Sequence, residues 1–360
     1  MASPNIGDGA NYAPSANAER VVEPGEFVYA AAYLDHGHIY GQCNGLNDAG
    51  GTLSKVYDTD SERLKAFCRR YPNVQVAQSF EELLDDKSIH LITSAAIPSE
   101  RAAIGMATLK AGKDYFTDKS PFTSLDQLQQ ARETCDATGQ KYMVYYAERL
   151  HNDSAWMAGE LISSGRVGRV LQVLNLAPHR LAKNTRPDWF FDKNSYGGIL
   201  TDIGSHQVEQ FLCYADCENA SINHARVCNF NNADKPGFED FGELSLTGDN
   251  GASFYSRVDW YTPEGLATWG DGRTFITGSE GTIELRKYID PARRAPASMM
   301  LLVDADGEHE IDCLDKSGFP FFGQLILDCL NRTENAMTQA HAFKAAELSM
   351  MAQSIADQNG

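Results

Sequence analysis

Between residues 26 and 147 the chain repeats one pattern, a short apolar run, a turn, and an amphipathic stretch. EFVYAAAYL, GTLSKVYD, HLITSAAI, DYFTDK and KYMVYYA read as strands. IYGQCNGLNDAG, DSERLKAFCRRY, SFEELLDD, SERAAIGMATLKAG and SLDQLQQARETCDATG read as helices. Local signals agree with the periodicity. DSERLKAFCRRY starts acidic and ends basic, as the helix dipole prefers. Ser79 with Glu82 three residues on makes a capping box. Strands alternating with helices at this spacing give a parallel sheet covered on both faces. Right-handed crossovers make it a doubly wound, Rossmann-type α/β domain over 26–147.

After residue 150 the texture changes. Strand-like runs bunch together: ARVCNFNN, GELSLTG, ASFYSRVDWYT, RTFITGS, GTIELRKYI and SMMLLVDA. Helices flank them, at SAWMAGELISSG and GSHQVEQFLCYA before and at GQLILDCLN and QAHAFKAAELSMMAQSIAD after. This predicts an α+β domain over 148–360 built on a large, open, mainly antiparallel sheet. A length of 360 residues suits two such domains. The first 25 residues are small and polar, lack the basic start and apolar middle of a signal peptide, and are expected to form a flexible tail.

Charge and composition exclude some partners. The net charge is −18 and no basic stripe appears, so nucleic acid and anionic membranes are poor partners. No apolar run approaches the ~18 residues of a membrane span. The eight cysteines form no C-x-x-C pair and mostly lie in apolar segments. They are expected to be buried reduced thiols of a cytoplasmic protein.

The segment between the first strand and the first helix, YLDHGHIYG, stands where a dinucleotide-binding protein carries G-x-G-x-x-G. Asp35 and Tyr40 replace the outer glycines and only Gly37 remains. The context is still strand, tight loop, helix. Asp58 closes the next strand, where a carboxylate can accept from the adenosine ribose and repel a 2′-phosphate; the alternative is that it caps the following helix. This favours NAD over NADP. His36 and His38, beside Asp35, could begin a metal site, but a third ligand would have to come from elsewhere; no metal is expected, and His36 or His38 is expected to face cofactor or substrate. Lys119, in TDKSP, ends a strand and so lies over the crevice of a doubly wound sheet. Asp202 and His206, with Glu209 beyond, lie on one face if a helix begins near them, and a histidine beside a carboxylate is a candidate general acid/base.

Taken together, Asp118-Lys119-Ser120-Pro121 and Asp202-Ile203-Gly204-Ser205-His206-Gln207-Val208-Glu209 resemble the Glu-Lys-Pro and Asp-x-Gly-x-His-x-x-Asp motifs of one family. It is the glucose–fructose oxidoreductase / inositol dehydrogenase / rhizopine catabolism (Gfo/Idh/MocA) family, and the resemblance runs from about residue 27 to 355. It implies an NAD-dependent enzyme in which His206 takes a proton from a substrate hydroxyl, Lys119 hydrogen-bonds the same oxygen, and Asp202 orients substrate or histidine. It places Gly37, His38, Ile39, Asp58, Ala95, Pro98, Arg101, Asp118 and Lys119 around the cofactor. Three departures stand out: the eroded glycine loop, Ser120 between Lys119 and Pro121, and Arg101 where relatives commonly have histidine.

The aromatic stretch before Asp202 offers a substrate wall. His179, Arg180, Trp189, Phe190 and Tyr196, with Asp202 and His206, suit the C–H face and hydroxyls of a carbohydrate or polyol. The competing reading is an aromatic plug that only fills space. Three functions stay open: a dehydrogenase of a sugar, cyclitol or glycoside secondary hydroxyl; an enzyme that retains NAD through a redox-neutral oxidation, elimination and reduction; and a non-catalytic nucleotide or sugar binder. The family resemblance also implies a homodimer or homotetramer paired through the open sheet.

Overall fold

The computed structural model describes residues 9, 12–14, 18–292 and 295–358. The chain divides into two compact units, one of residues 10–145 with 318–343, the other of residues 1–9, 146–317 and 344–360.

The first unit is built on six strands: β1 (Val28–Ala32), β2 (Thr52–Tyr57), β3 (Gln75–Val76), β4 (Leu91–Ser94), β5 (Asp114–Asp118) and β6 (Tyr142–Tyr145). They pair in the order β3-β2-β1-β4-β5-β6, and every pair is parallel. The connecting helices are α1 (His38–Asp48), α2 (Ser61–Arg70), α3 (Phe80–Asp85), α4 (Pro98–Lys110) and α5 (Leu125–Thr138). Their starts follow from the sequence. The Asp60, Ser79 and Ser124 side chains accept from the first amides of α2, α3 and α5. Gly139, in the left-handed conformation, ends α5. β4 and β5 are buried throughout, as expected of central strands covered on both faces.

The chain runs outward from β1 in one direction and from β4 in the other. The C-terminal ends of β1 and β4 are therefore the switch point where ligands bind in such sheets.

The second unit begins with α6 (Ala147–Leu150) and α7 (Asp153–Ser163), followed by β7 (Val170–Pro178). Three helices come next: α8 (Lys193–Tyr196), α9 (Ile199–Asp202) and α10 (Gly204–Ala215). The remaining strands are β8 (Ala220–Cys228), β9 (Phe241–Gly248), β10 (Ser253–Asp259), β11 (Arg273–Gly278), β12 (Thr282–Arg286), β13 (Ile289–Asp290), β14 (Ala295–Pro296), β15 (Met299–Asp304) and β16 (Gly307–Asp312). β13 and β14 form a separate two-stranded ladder. The others form an eight-stranded sheet, β16-β15-β12-β11-β7-β10-β9-β8, antiparallel except where β7 meets β10.

That sheet has one packed face and one half-exposed face, as alternation along each strand requires. Val173, Phe254, Leu244, Ile276, Ile283 and Met300 are buried on the inner face. On the outer face Leu174 lies between Tyr255 and Phe275, and Glu284 lies between Phe275 and Leu301.

The C-terminal helices are α11 (Pro320–Asn331) and α12 (Gln339–Gln358). α11 packs in the first unit, where Phe321 and Phe322 meet Phe116. The segment expected to be a flexible tail is partly tied down. Asn44 donates to the Ala13 carbonyl at 3.1 Å, and the Val21 N–H donates to Ala49 at 3.0 Å.

Candidate active site

The β1–α1 loop makes its turn without the usual glycines. Tyr33 takes the left-handed conformation (φ 56°), with its ring against Tyr57 and Phe80. Gly37 has an ordinary helical φ of −63° and caps α1. The loop is pinned across β4 by the His36 N–H, which donates to Ala95, and by the Ala95 N–H, which donates to Tyr33. Glycine is needed further along α1. A Cβ on Gly41 would lie 2.7 Å from the Tyr145 hydroxyl, and one on Gly45 would lie 2.4 Å from the Phe322 ring.

The loop's carboxylates are accounted for by one arginine. Arg63 reaches Asp58 through Nε and Nη2 and Asp35 through Nη2 at 3.1 Å. Burial pushes the Asp35 carboxyl above its ordinary value, and Arg63 pulls the other way. Asp58 also accepts from the Leu34 and Asp60 amides, both at 2.6 Å. Its side chain is fully buried. Asp58 thus holds the loop's shape, with its lone pairs directed at protein donors.

Asp118, at the end of β5, is the hub of the unit's polar centre. His38 Nδ1 lies 2.9 Å from its Oδ1 and His36 Nδ1 3.3 Å from its Oδ2. Arg101 adds Nη2 at 3.3 Å from Oδ2. Arg101 is itself buried and held by the carbonyls of Ala96, Lys119 and Ser120. Burial pushes the Asp118 carboxyl up, but the charges of His38 and Arg101 and the bonds from both histidines outweigh it and hold it well below the usual carboxylate range. Burial pushes His36 down, with His38 beside it, to about 4. Ile39 is buried in α1, Pro98 opens α4, and Lys119 follows β5 with 7% of its surface exposed. Gly37, Ala95, Asp118 and Lys119 thus sit at C-terminal ends of strands or in the turns that follow them, and His38 and Pro98 open the helices that leave those turns. Arg101 reaches that edge from within α4 as a clamp.

In the second unit the sequence places Asp202 and His206 on one face if a helix begins near them. Asp202 ends α9, Ile203 keeps a helical conformation (φ −80°, ψ −42°), and His206 lies in the first turn of α10, the helix expected at GSHQVEQFLCYA. The Ser205 hydroxyl donates back to the Asp202 carbonyl. Glu209 is committed elsewhere, paired with Arg149 through two nitrogens. Glu148 and Lys287, singled out by no motif, make a buried ion pair of 3.2 Å. Lys287 also donates to Gln210, and His179 Nε2 lies 3.7 Å from Glu148.

The aromatic stretch is largely packed. Phe190 and Tyr196 are buried against each other and against Phe238, and Phe190 meets Trp260. Arg180 holds the carbonyls of Pro263 and Leu266. Trp189 is half-buried, and the His179 ring meets Trp269 at a tilt, 4.7 Å between centroids. The plug reading therefore describes Phe190 and Tyr196, while Trp189 and His179 keep polar or exposed edges.

A row of polar side chains crosses the sheet's inner face. Thr274 and Ser256 both pair with Asn175 in register. The side-chain polar atoms of all three are buried without a hydrogen-bond partner among the described residues.

Comparison with known proteins places this architecture. The model of an oxidoreductase family with an NAD-binding Rossmann fold matches residues 29–146, and the model of the GFO/IDH/MocA C-terminal domain matches residues 156–284. The chain belongs to the GFO/IDH/MocA oxidoreductase family. An oxidoreductase of Erwinia carotovora atroseptica, whose substrate its name leaves open, is 46% identical with a TM-score of 0.88. That match covers 91% of this chain and 98% of the other. Levoglucosan dehydrogenase, solved with NADH and levoglucosan, shares the fold at TM-score 0.76 and 16% identity, over 93% of this chain and 98% of the other. Among curated proteins, scyllo-inositol 2-dehydrogenase (NADP(+)) of Bacillus subtilis is 24% identical over 44% of this chain. The chain spans 43% of that relative's length, less than half.

The residues at the family's cofactor edge fit a dinucleotide. The strand order supplies the crevice, α1 aims its N-terminus there, and Gly41 and Gly45 let α1 pack closely, as a fingerprint glycine would. The carboxylate that replaces the first glycine is countered by Arg63. The signal for this compensation was in the sequence, since Arg63 lies five residues beyond Asp58, but only the fold joins it to Asp35.

Proposed function

We propose that the protein is an NAD-dependent dehydrogenase acting on a secondary hydroxyl of a sugar, cyclitol or glycoside. The observation that carries this reading is Lys119, fixed at the C-terminal end of β5 by Arg101 bonds to its carbonyl and to that of Ser120. NAD, when bound, supplies the hydride acceptor. In this reading His206 accepts the hydroxyl proton and Lys119 donates a hydrogen bond to the same oxygen, stabilising negative charge as it develops. Asp202 orients the substrate. The unpartnered row of Asn175, Ser256 and Thr274 supports a hydroxyl-rich ligand, because buried polar atoms call for partners. The half-exposed outer face of the large sheet, with Phe275 and Val303, supports a homodimer or homotetramer.

The test is NADH formation by the full chain with a panel of polyols, cyclitols and glycosides. Turnover with one of them, lost by at least about a hundredfold in Lys119→Ala and His206→Ala, is the expected result. NAD(H) that stays bound through purification, with no net NADH formed, would replace this reading by the retained-cofactor enzyme. Folded protein that binds neither NAD nor NADP would replace it by the non-catalytic binder.

A further inference from the structure

His36, His38 and Asp118 bring two imidazole nitrogens and one carboxylate together at the C-terminal edge of the parallel sheet. One ligand atom from each lies within 4.8 Å of the other two. We propose that these three residues bind a divalent transition-metal cation of the zinc type. The inference concerns the loop's own donors and does not rest on the dehydrogenase reading.

The donor set is the first argument. Two imidazole nitrogens and a carboxylate oxygen match zinc and its first-row neighbours better than calcium or magnesium, which take oxygen ligands. The spacing is the second. Ligand atoms at about 2.0–2.2 Å from a tetrahedral ion stand roughly 3.3 Å apart. His36 Nδ1 and His38 Nδ1 are 3.3 and 2.9 Å from the two oxygens of Asp118. The two rings meet edge to face at 4.3 Å between centroids.

The third argument is support around the ligands. Arg101 bonds Asp118 from outside, and the His36 N–H anchors the loop to Ala95. Metal-ligating carboxylates are commonly held in this way. Arg101 and Lys119 also add positive charge nearby, which keeps affinity below that of a structural zinc site.

The test uses cobalt(II), whose visible absorption reports a tetrahedral site with nitrogen and oxygen ligands. The purified, chelator-treated full chain is titrated with Co²⁺ and then with Zn²⁺. One saturable band per chain, abolished by Zn²⁺ and weakened at least tenfold in both His36→Gln and His38→Gln, is the expected result. The absence of a band, or a band unchanged in both variants, overturns the proposal. Because a loop variant can fail to fold, the unaltered protein provides a second reading. ¹⁵N-histidine spectra should show Zn²⁺ shifting the Nδ1 signals of two of the nine histidines. Spectra in which no such pair moves overturn the proposal equally. NADH binding, measured separately by calorimetry, distinguishes this failure from failure of the cofactor reading.

Discussion

Arg63 grips Asp58 with two nitrogens, Nε at 3.1 Å from Oδ2 and Nη2 at 2.8 Å from Oδ1. The same Nη2 reaches Asp35 at 3.1 Å. One cation thus serves two carboxylates in a loop that faces a cofactor's phosphates in related folds. Without it, two uncompensated negative charges would stand near a pyrophosphate. Arg63→Ala is expected to weaken NADH binding by about tenfold, roughly 1.4 kcal/mol. Asp35→Asn in the Arg63→Ala background should recover most of that loss. Calorimetric Kd values for the wild type and both variants decide it; equal Kd values would show that the loop's charge does not reach the cofactor.

The Arg101 clamp leads to a stability prediction. Its guanidinium serves three carbonyls and the fully buried Asp118. Arg101→Met removes the cation and leaves a buried carboxylate with less compensation, which costs about 3–5 kcal/mol. Arg101→Lys should restore little, because a point charge cannot replace a planar fork that serves several acceptors. Urea denaturation with an unchanged m-value is the measurement. A loss below about 1 kcal/mol in Arg101→Met would show that the histidines alone satisfy Asp118.

The residues just discussed show what could be read from the sequence. The parallel sheet was legible because period-2 and period-3.6 patterns are local. Lys119, Asp202 and His206 stand out in the sequence because each sits in a short motif. Asp118 was visible as a motif residue but not as a hub, since its partner His38 lies 80 positions away. Lys287 carries no local signal at all, and its partner Glu148 is 139 positions distant. The start of α10 was legible because GSHQVEQFLCYA carries the helical pattern by itself. The aromatic stretch left two readings open because a sugar wall and a hydrophobic plug use the same residue types; packing buries Phe190 and Tyr196 and leaves Trp189 half-buried.

Gly45 gives a purely steric prediction. A Cβ there would come within 2.4 Å of the buried Phe322 ring. Alanine is intrinsically better than glycine inside a helix by about 0.5–1 kcal/mol. Overpacking against a ring fixed among Phe116, Tyr145 and Phe321 should exceed that, at about 1–3 kcal/mol. Gly45→Ala is therefore expected to lower Tm, and Phe322→Leu in the same chain should return part of the loss. A higher Tm in Gly45→Ala alone would mean that Phe322 moves aside at little cost.

The Glu148–Lys287 pair should leave a signature in acid. Burial pushes the Glu148 carboxyl up, but the charges of Lys287, His206 and His179 hold it at about 2, against an ordinary 4.5. Burial likewise pushes the Lys287 ammonium down, and Glu148 opposes that shift. A carboxyl depressed in the folded state stabilises fully above its unfolded value. That contribution is lost as pH falls from about 4.5 toward 2, because the unfolded chain binds the proton first. At about 1.4 kcal/mol per pH unit, it amounts to roughly 3 kcal/mol. Glu148→Gln should be destabilised at pH 7, where it strands Lys287, and should show a flatter decline between pH 4.5 and 3 than the wild type. Glu148→Gln with Lys287→Met should regain stability at pH 7, since removing both members of a buried pair costs less than removing one. Denaturation midpoints for the three proteins at pH 7, 4.5 and 3 test this. Parallel declines in all three would mean that Glu148 is already protonated at neutral pH and that Lys287 is balanced by another group.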